Sequence, residues 1–335
     1  MSAWQDALTD AERDALEPAD HPDWLSPMLA TLTDRRFSDS DWLFERKLDG
    51  ERLLAFRDGR RVRLLTRNRK SAVHTYPEVV DALARQPAAD FVVDGEVVAF
   101  DGSVSSFSRL QQRMKITDPD KARASGVAVY FYVFDLPWFD GFTLDALPLR
   151  TRKKLLRFEF RFDAPIRFTA HRNDEGEDYF EQACAKGWEG IIAKRADSKY
   201  RHSRSRDWLK FKCAKGQELV IGGFTEPQGE RTGFGALLVG YHDDDGELRY
   251  AGKVGTGYDQ AFLADFRARL DRIATDDPPF ADPPSDRDAT WVKPRYVGGF
   301  GFTEWTRDGK LRHPRFLGLR RDKKPSDVVR EQPDE

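Results

Sequence analysis

The segment Phe91-Val92-Val93-Asp94-Gly95-Glu96-Val97-Val98-Ala99-Phe100 constrains the fold of this chain more than any other stretch. Its apolar residues run nearly unbroken over the length of one strand, so the strand must be buried within a sheet. The Asp94-Gly95-Glu96 interruption is then costly, because a carboxylate in such a strand needs a partner or a task. Val127 to Leu136, rich in aromatic residues, predicts a second buried strand, and Gly190 to Arg195 and Trp208 to Cys213 predict two more. Leu53 to Phe56 and Val62 to Thr66 flank Asp58-Gly59, a hairpin signal. Helices fit between the strands. Pro77 suits the first turn of one that carries Val79, Val80 and Leu83 inside, and Asp178 to Lys186 places Tyr179, Phe180 and Cys184 at helical spacing. The pattern predicts an α+β domain of antiparallel sheets whose edges converge on one cleft.

A chain of 335 residues is long enough for two domains with separate cores. Around Ala214 to Glu218 the polarity rises and the strand pattern restarts. Leu219 to Phe224, Gly235 to His242, Glu247 to Gly255 and Trp291 to Phe302 alternate with Gly-rich turns, with one helix at Asp259 to Ile273. Short strands with an inserted helix predict a small Greek-key β-barrel of the OB type. The Pro-rich stretch from Asp276 to Pro284 is read as a surface loop inside this second domain. Residues 1–25 read as a helical or partly ordered extension ending at Pro22, residues 26–215 as the first domain and 216–335 as the second.

Charged residues make up 33% and hydrophobic residues 39%, and no apolar run is long enough to span a bilayer. The N-terminus is acidic and lacks the apolar core of a signal peptide, so the expected compartment is the cytoplasm. Cys184 and Cys213 lack metal-ligand spacing and are expected as reduced thiols. The net charge of −2 argues against a polyanionic partner only as a sum. Lys and Arg far outnumber Asp and Glu from Arg46 to Lys70 and from Lys194 to Lys215, so a basic surface coexists with a near-neutral total.

Chemistry concentrates inside those runs. Lys47-Leu48-Asp49-Gly50-Glu51-Arg52 has the K-x-D-G-x-R form in which a lysine attacks the α-phosphate of a nucleotide. Alone, the hexapeptide fits a hairpin turn with a solvated lysine equally well. As a nucleophile, Lys47 requires a depressed pKa, which the flanking Arg46 and Arg52 suit and the joint field of Lys210 and Lys212 is expected to supply. Glu96 and Glu189, the latter just before the strand that ends in Lys194, are candidate ligands for a divalent cation on the phosphates. In Trp208-Leu209-Lys210-Phe211-Lys212, alternation puts Lys210 and Lys212 on one face, aimed at an α-phosphate, with Trp208, Leu209 and Phe211 expected nearer the core. Phe134 is a candidate to stack on a purine, although an aromatic in such a strand also suits a plain core. The cationic segment Arg312 to Lys323 suits a leaving pyrophosphate.

In this order the motifs KLDGER, DGE, YVFD, EGIIAK, WLKFK and RHPRFLGLRRDK resemble the six motifs of the ATP-dependent DNA ligases, within the covalent nucleotidyltransferase superfamily. The resemblance runs from Pro27-Met28-Leu29-Ala30 to Lys324. FGALLVGYH, AGKVGTGY and TEWTRDGKLRHPRFLGLR resemble more narrowly the ligase module of bacterial ligase D, the end-joining enzyme that works with Ku.

The resemblance implies an adenylation (nucleotidyltransferase) domain of the ATP-grasp-like DNA ligase type followed by an OB-fold barrel. It implies ATP with Mg²⁺ or Mn²⁺, nicked double-stranded DNA as substrate, and a monomer beside the bacterial nucleoid, with Ku and a separate repair polymerase as candidate partners. By position, Lys47 would be the adenylated nucleophile and Glu45 would read the adenine amino group. Arg52 would hold the ribose or the nick phosphate, and Arg67 the 5′-phosphate strand. Lys194, Lys210 and Lys212 would grip phosphates, while Arg320, Asp322 and Lys323 would orient pyrophosphate. Gly318 departs from the arginine of many eukaryotic-type ligases, and Gly299 and Gly301 from acids of the ligase D type. The rival readings are an mRNA-capping guanylyltransferase or RNA ligase, and a non-catalytic OB-type DNA-binding adaptor.

Overall fold

The structure, a computed structural model, describes residues 3–331 except Lys215, Gln228, Glu230 and Arg287. Lys215, the last residue of the basic run and of the expected first domain, lies outside the described residues. So do residues 1–2 and 332–335, at the ends of the expected extension and second domain. The chain forms two compact units, one reaching to Cys213 and the other Ala214–Glu331.

The strands of the first unit include β1 (Leu29–Leu32), β2 (Trp42–Lys47), β3 (Glu51–Asp58), β4 (Arg61–Thr66), β5 (Asp90–Val98), β6 (Tyr130–Phe139), β7 (Ile166–Phe168), β8 (His171–Asn173), β9 (Gly190–Arg195) and β10 (Arg204–Lys212). Its helices include α1 (Asp10–Asp14), α2 (Pro77–Ala84), α3 (Phe107–Met114), α4 (Leu149–Glu159) and α5 (Gly176–Ala185). One sheet has the central order β6-β5-β3-β4, antiparallel throughout, with β7 added parallel to β6. The other has the order β8-β2-β9-β10-β1, antiparallel except where β1 joins β10.

Period-2 alternation explains how each sheet gains an apolar outer face and a charged inner one. Leu53, Ala55, Phe91, Val93, Val97, Phe131 and Val133 face outward into the main core with Val79 and Leu83 of α2, Leu110 of α3 and Leu155 of α4. Phe44, Ile191, Ala193 and Phe211 face Tyr179 and Ala183 of α5. The inner faces meet across Phe134 and Trp208, whose ring centroids lie 6.1 Å apart. Trp208 therefore shares its face with Lys210 and Lys212, correcting the expectation that it sits with Leu209 and Phe211.

Two further expectations are corrected. Cys184 on α5 and Cys213 after β10 are joined in a disulfide, because packing α5 on the second sheet brings their Cα atoms to 5.2 Å, within bridging range. The N-terminal segment, expected as a helical or partly ordered extension, is helical over Ala3–Ala7 and Asp10–Asp14 but docks on the core instead of extending from it. Trp4 and Leu8 are buried in the main core, the Trp4 indole donates to Asp140 at 2.9 Å, and Thr9 with Glu12 forms a capping box for α1.

In the second unit β11 (Gly216–Thr225), β12 (Leu237–His242), β13 (Leu248–Val254), β14 (Ala274–Thr275), β15 (Ala289–Gly301) and β16 (Arg315–Leu319) form one six-stranded sheet in the order β13-β12-β11-β15-β14, with β16 on β15. Asp259 caps α6 (Gln260–Asp271) by accepting from the Phe262 amide, and Leu263, Phe266 and Leu270 pack into the core with Leu219, Ile221 and Phe300. Register shifts in β11, β12 and β15 bend the sheet, as an OB-fold barrel requires. Gly299 stands opposite Gly318 in the pairing of β15 with β16, so two of the three glycine departures face each other.

Candidate active site

The K-x-D-G turn links β2 to β3, and Gly50 is there because nothing larger fits: a Cβ at this position would lie 2.2 Å from the Val97 carbonyl oxygen of β5. The turn is thereby pressed onto the strand that carries Glu96. Across the second sheet Lys47 pairs in register with Gly190, and Gly190 with Lys212. Gly190 has φ +148°, and a Cβ would lie 1.9 Å from the Phe211 carbonyl oxygen. With glycine between them, no side chain separates Lys47 from Lys212 in that row.

This pairing places Glu189 beside Lys47, with Nζ to Oε1 at 2.6 Å. Burial pushes the Lys47 pKa down, but the carboxylates of Glu189, Glu96 and Asp49 outweigh it and hold the ammonium above the ordinary lysine range. The expectation that Arg46, Arg52 and the Lys210–Lys212 pair depress this pKa is corrected, since carboxylates outweigh burial and the cations around it. Arg46 turns the other way, over the rings of Trp188 at 4.2 Å and Phe100 at 5.5 Å, and bonds the Ser103 carbonyl. Arg52 is committed to Asp94.

Arg52 donates through Nε and Nη2 to Asp94, at 2.5 and 2.6 Å, and through Nη2 to the Met28 carbonyl. The Tyr200 hydroxyl also donates to Asp94, at 2.6 Å, and accepts from the Met28 amide. The acid that the β5 sequence left needing a partner thus has two, and its charge anchors the guanidinium 4.3 Å from the centre of the Phe134 ring. Burial opposes the charge on Arg52, and Asp94 more than restores it. Glu96 stands opposite Arg52 in the β3–β5 register, so Glu96 and Glu189 reach Lys47 from different sheets.

Glu45, two residues before Lys47 on the same face of β2, is 2% exposed, accepts a hydrogen bond from Lys153 of α4 and forms an ion pair with Lys194 of β9. Lys194 Nζ lies 4.2 Å from the Phe134 ring centre and 4.0 Å from that of Trp208, and burial draws its pKa down to about 8. Beside it Asp135, the last residue of YVFD, forms a fully buried pair with Arg152 of α4. Lys210 is buried, in register with Ile192 and one strand beyond Glu45, while Lys212 is half-buried.

Lys47, Glu45, Arg52, Glu96, Phe134, Glu189, Lys194, Lys210 and Lys212 thus line the inner faces of the first unit. Arg67 stands apart, in the turn after β4. Arg320, Asp322 and Lys323 belong to the second unit, where Arg320 bonds Asp322 at 2.8 Å and Lys323 lies 3.7 Å from Glu218. Among the described residues no group of three or more His, Cys, Asp and Glu side chains is placed to hold a metal. The two carboxylates facing Lys47 nonetheless suit a hard cation that completes its shell with phosphate oxygens and water. Asp94, Tyr200, Lys153 and the Asp135–Arg152 pair were not singled out as site residues by the sequence. Arg152 and Lys153 left a usable signal, because they share a helical face with Leu149 and Leu156, where cations need buried partners.

The family model for the ATP dependent DNA ligase domain matches residues 27–212, and that for the ATP dependent DNA ligase C terminal region matches residues 230–323. The chain belongs to the ATP-dependent DNA ligases. The multifunctional non-homologous end joining protein LigD of Pseudomonas aeruginosa is 38% identical over 320 residues, 93% of this chain and 37% of that protein. The multifunctional non-homologous end joining DNA repair protein LigD of Mycobacterium tuberculosis is 41% identical over 319 residues, 92% of this chain and 40% of that protein. The ligase therefore spans less than half the length of these curated relatives. A mycobacterial DNA ligase D complexed with ATP and MES matches it with a TM-score of 0.64 at 37% identity, over 92% of this chain and 98% of that one. The ligase has the fold of its family, a nucleotidyltransferase domain of antiparallel sheets and helices followed by an OB-fold barrel. No helix among its described residues is long and apolar enough to cross a membrane.

Proposed function

We propose that this ligase seals 5′-phosphate/3′-hydroxyl nicks in duplex DNA through a lysyl-AMP intermediate on Lys47, in DNA repair by end joining. The observation that carries the reading is Lys47 paired with Glu189 at 2.6 Å and in the field of Glu96 from the other sheet, with Lys194 contacting both Glu45 and the Phe134 ring. The Lys47 ammonium releases a proton to solvent, and the resulting amine attacks the α-phosphorus of ATP, forming the N–P bond as the bond to pyrophosphate breaks. The AMP then passes to the DNA 5′-phosphate, and the 3′-hydroxyl displaces it. Each step is in-line phosphoryl transfer, so the chain's work is positioning and charge stabilisation.

In this reading Glu45 meets the adenine amino group, Phe134 stacks on the base, Arg52 fixed by Asp94 holds ribose or the nick phosphate, and Lys194, Lys210 and Lys212 supply positive charge. Glu96 and Glu189 would hold a divalent cation, Mg²⁺ or Mn²⁺, which supplies charge neutralisation on the triphosphate when bound. Arg67 contacts the 5′-phosphate strand, and Arg320, Asp322 and Lys323 orient the departing pyrophosphate. Residues 26–215 act as the adenylation domain and 216–335 as the OB domain. The ligase works as a monomer in the bacterial cytoplasm on nucleoid DNA, with Ku and a repair polymerase as partners. Incubation with ATP labelled at the α-phosphate should label the wild-type protein and leave Lys47→Ala unlabelled; label that persists on the variant places the nucleophile elsewhere.

A further inference from the structure

Each carboxylate oxygen of Glu45 carries a different lysine. Lys194 of the EGIIAK motif takes Oε2 at 2.7 Å, whereas Lys153, which belongs to none of the motifs, takes Oε1 at 2.5 Å. Lys153 is itself 2% exposed and donates a second hydrogen bond, at 3.0 Å, to the Thr169 carbonyl between β7 and β8. The backbone carbonyl fixes the ammonium, and the ammonium fixes the carboxylate.

We propose that Lys153 is a positioning residue for base selection, holding Glu45 as a fixed hydrogen-bond acceptor toward the 6-substituent of the bound purine. The inference rests on Glu45 being the group that meets the adenine amino group. An ionised carboxylate offers about four acceptor sites and no donor. One of its sites is taken by the hydrogen bond from Lys153, Lys194 stands in ion-pair contact at the other oxygen, and what remains suits an amino group and repels the 6-oxo oxygen of a guanine. A carboxylate that took up a proton would offer a donor to the oxo group, and one that turned would withdraw its acceptor from the amino group; either change loses that distinction. Burial pushes the Glu45 pKa up, and the ammonium groups of Lys153 and Lys194 outweigh it. Lys194 alone is a weaker guarantee, because burial draws its own pKa down to about 8 and its ammonium also faces two aromatic rings.

The test is single-turnover adenylation of Lys47 in the full chain, with ATP, GTP and purine riboside triphosphate, which lacks the 6-amino group. Wild type should prefer ATP over the purine analogue by about tenfold or more, the usual worth of a hydrogen bond to a charged group. Lys153→Met should bring that preference close to one and raise the half-saturating ATP concentration, with the saturated rate changed by only a few fold. Lys153→Arg should restore most of the preference. Lys153→Gln keeps a donor without the charge and should fall between, and it carries the comparison where thermal melting shows the Met variant unfolded. Folded Met or Gln variants with the full wild-type preference overturn the role of Lys153. A wild type that does not distinguish ATP from the analogue overturns instead the reading of Glu45, and with it any base selection for Lys153 to support.

Discussion

Lys47, the proposed nucleophile, is paired at 2.6 Å with Glu189, in a field dominated by carboxylates. The pairing lowers the fraction of neutral amine at a given pH, so anything that withdraws the Glu189 charge makes Lys47 more reactive. Glu189→Gln should therefore shift the pH profile for modification of Lys47 by an amine-reactive reagent toward lower pH. An unchanged or upward-shifted midpoint would show that Glu189 does not govern the amine. At this scale the sequence located the groups and mistook their balance. K-x-D-G-x-R singled out Lys47 as the candidate nucleophile, and the register of β2 with β9 explains why its neighbour is Glu189 rather than Arg46. That register is a long-range pairing, and no local spacing around residue 47 encodes it.

Among the elements, α4 supplies two buried cations that pair with carboxylates of the strands. Its Arg152 and Lys153 pass from an otherwise apolar helical face to Asp135 and Glu45. Arg152 and Asp135 are both 0% exposed, and Arg152 also donates to the carbonyls of Leu147 and Ser198. Arg152→Met leaves a buried carboxylate uncompensated and should cost about 3–5 kcal/mol in a chemical denaturation experiment. A loss under about 1 kcal/mol would mean that Asp135 finds another partner.

His202 provides a pH-dependent counterpart. Its imidazole contacts Asp145 at 2.7 Å and the Ser26 carbonyl at 2.9 Å, and the bond to Asp145, more than offsetting burial, raises its pKa above the usual 6.5. Folding then favours the protonated form, so the contribution is full below about pH 6.5 and disappears as pH rises through the raised value. The site is more than a third exposed, which limits the effect to about 0.2–1 kcal/mol. His202→Gln should melt below wild type at pH 6 and with it at pH 9; an equal deficit at both values would assign the loss to packing.

The strands were legible in sequence because apolar runs and hairpin turns are local signals. The Asp58-Gly59 hairpin, Pro77 opening α2 and Gly190–Arg195 as β9 all stand where their residues place them. The side on which Trp208 lies followed from alternation alone, and the sequence reading misapplied it. The burial of Trp4 and Leu8 has no periodic signal, since a segment this short and acidic reveals its docking only through a tertiary partner such as Asp140.

For the molecule as a whole, each unit has its own core: the main cluster around Phe91 and Phe131 in the first, and that around Phe234 and Phe266 in the second. A net charge of −2 spread over both leaves the basic runs, not the total, to meet a polyanion. The bond between Cys184 and Cys213 spans 29 positions of sequence, and within that span lie Glu189, Lys194, Lys210 and Lys212. Closing a chain segment of that length is worth about 3–4 kcal/mol by loop-closure entropy. Dithiothreitol should lower the stability of the wild type by that amount and leave a Cys184→Ser/Cys213→Ser variant unmoved; equal melting of the wild type with and without reductant would discount the bond. The practical corollary concerns the bench: a thiol added to a purification buffer selects a different covalent species, so preparations made with and without it are two enzymes to be assayed separately.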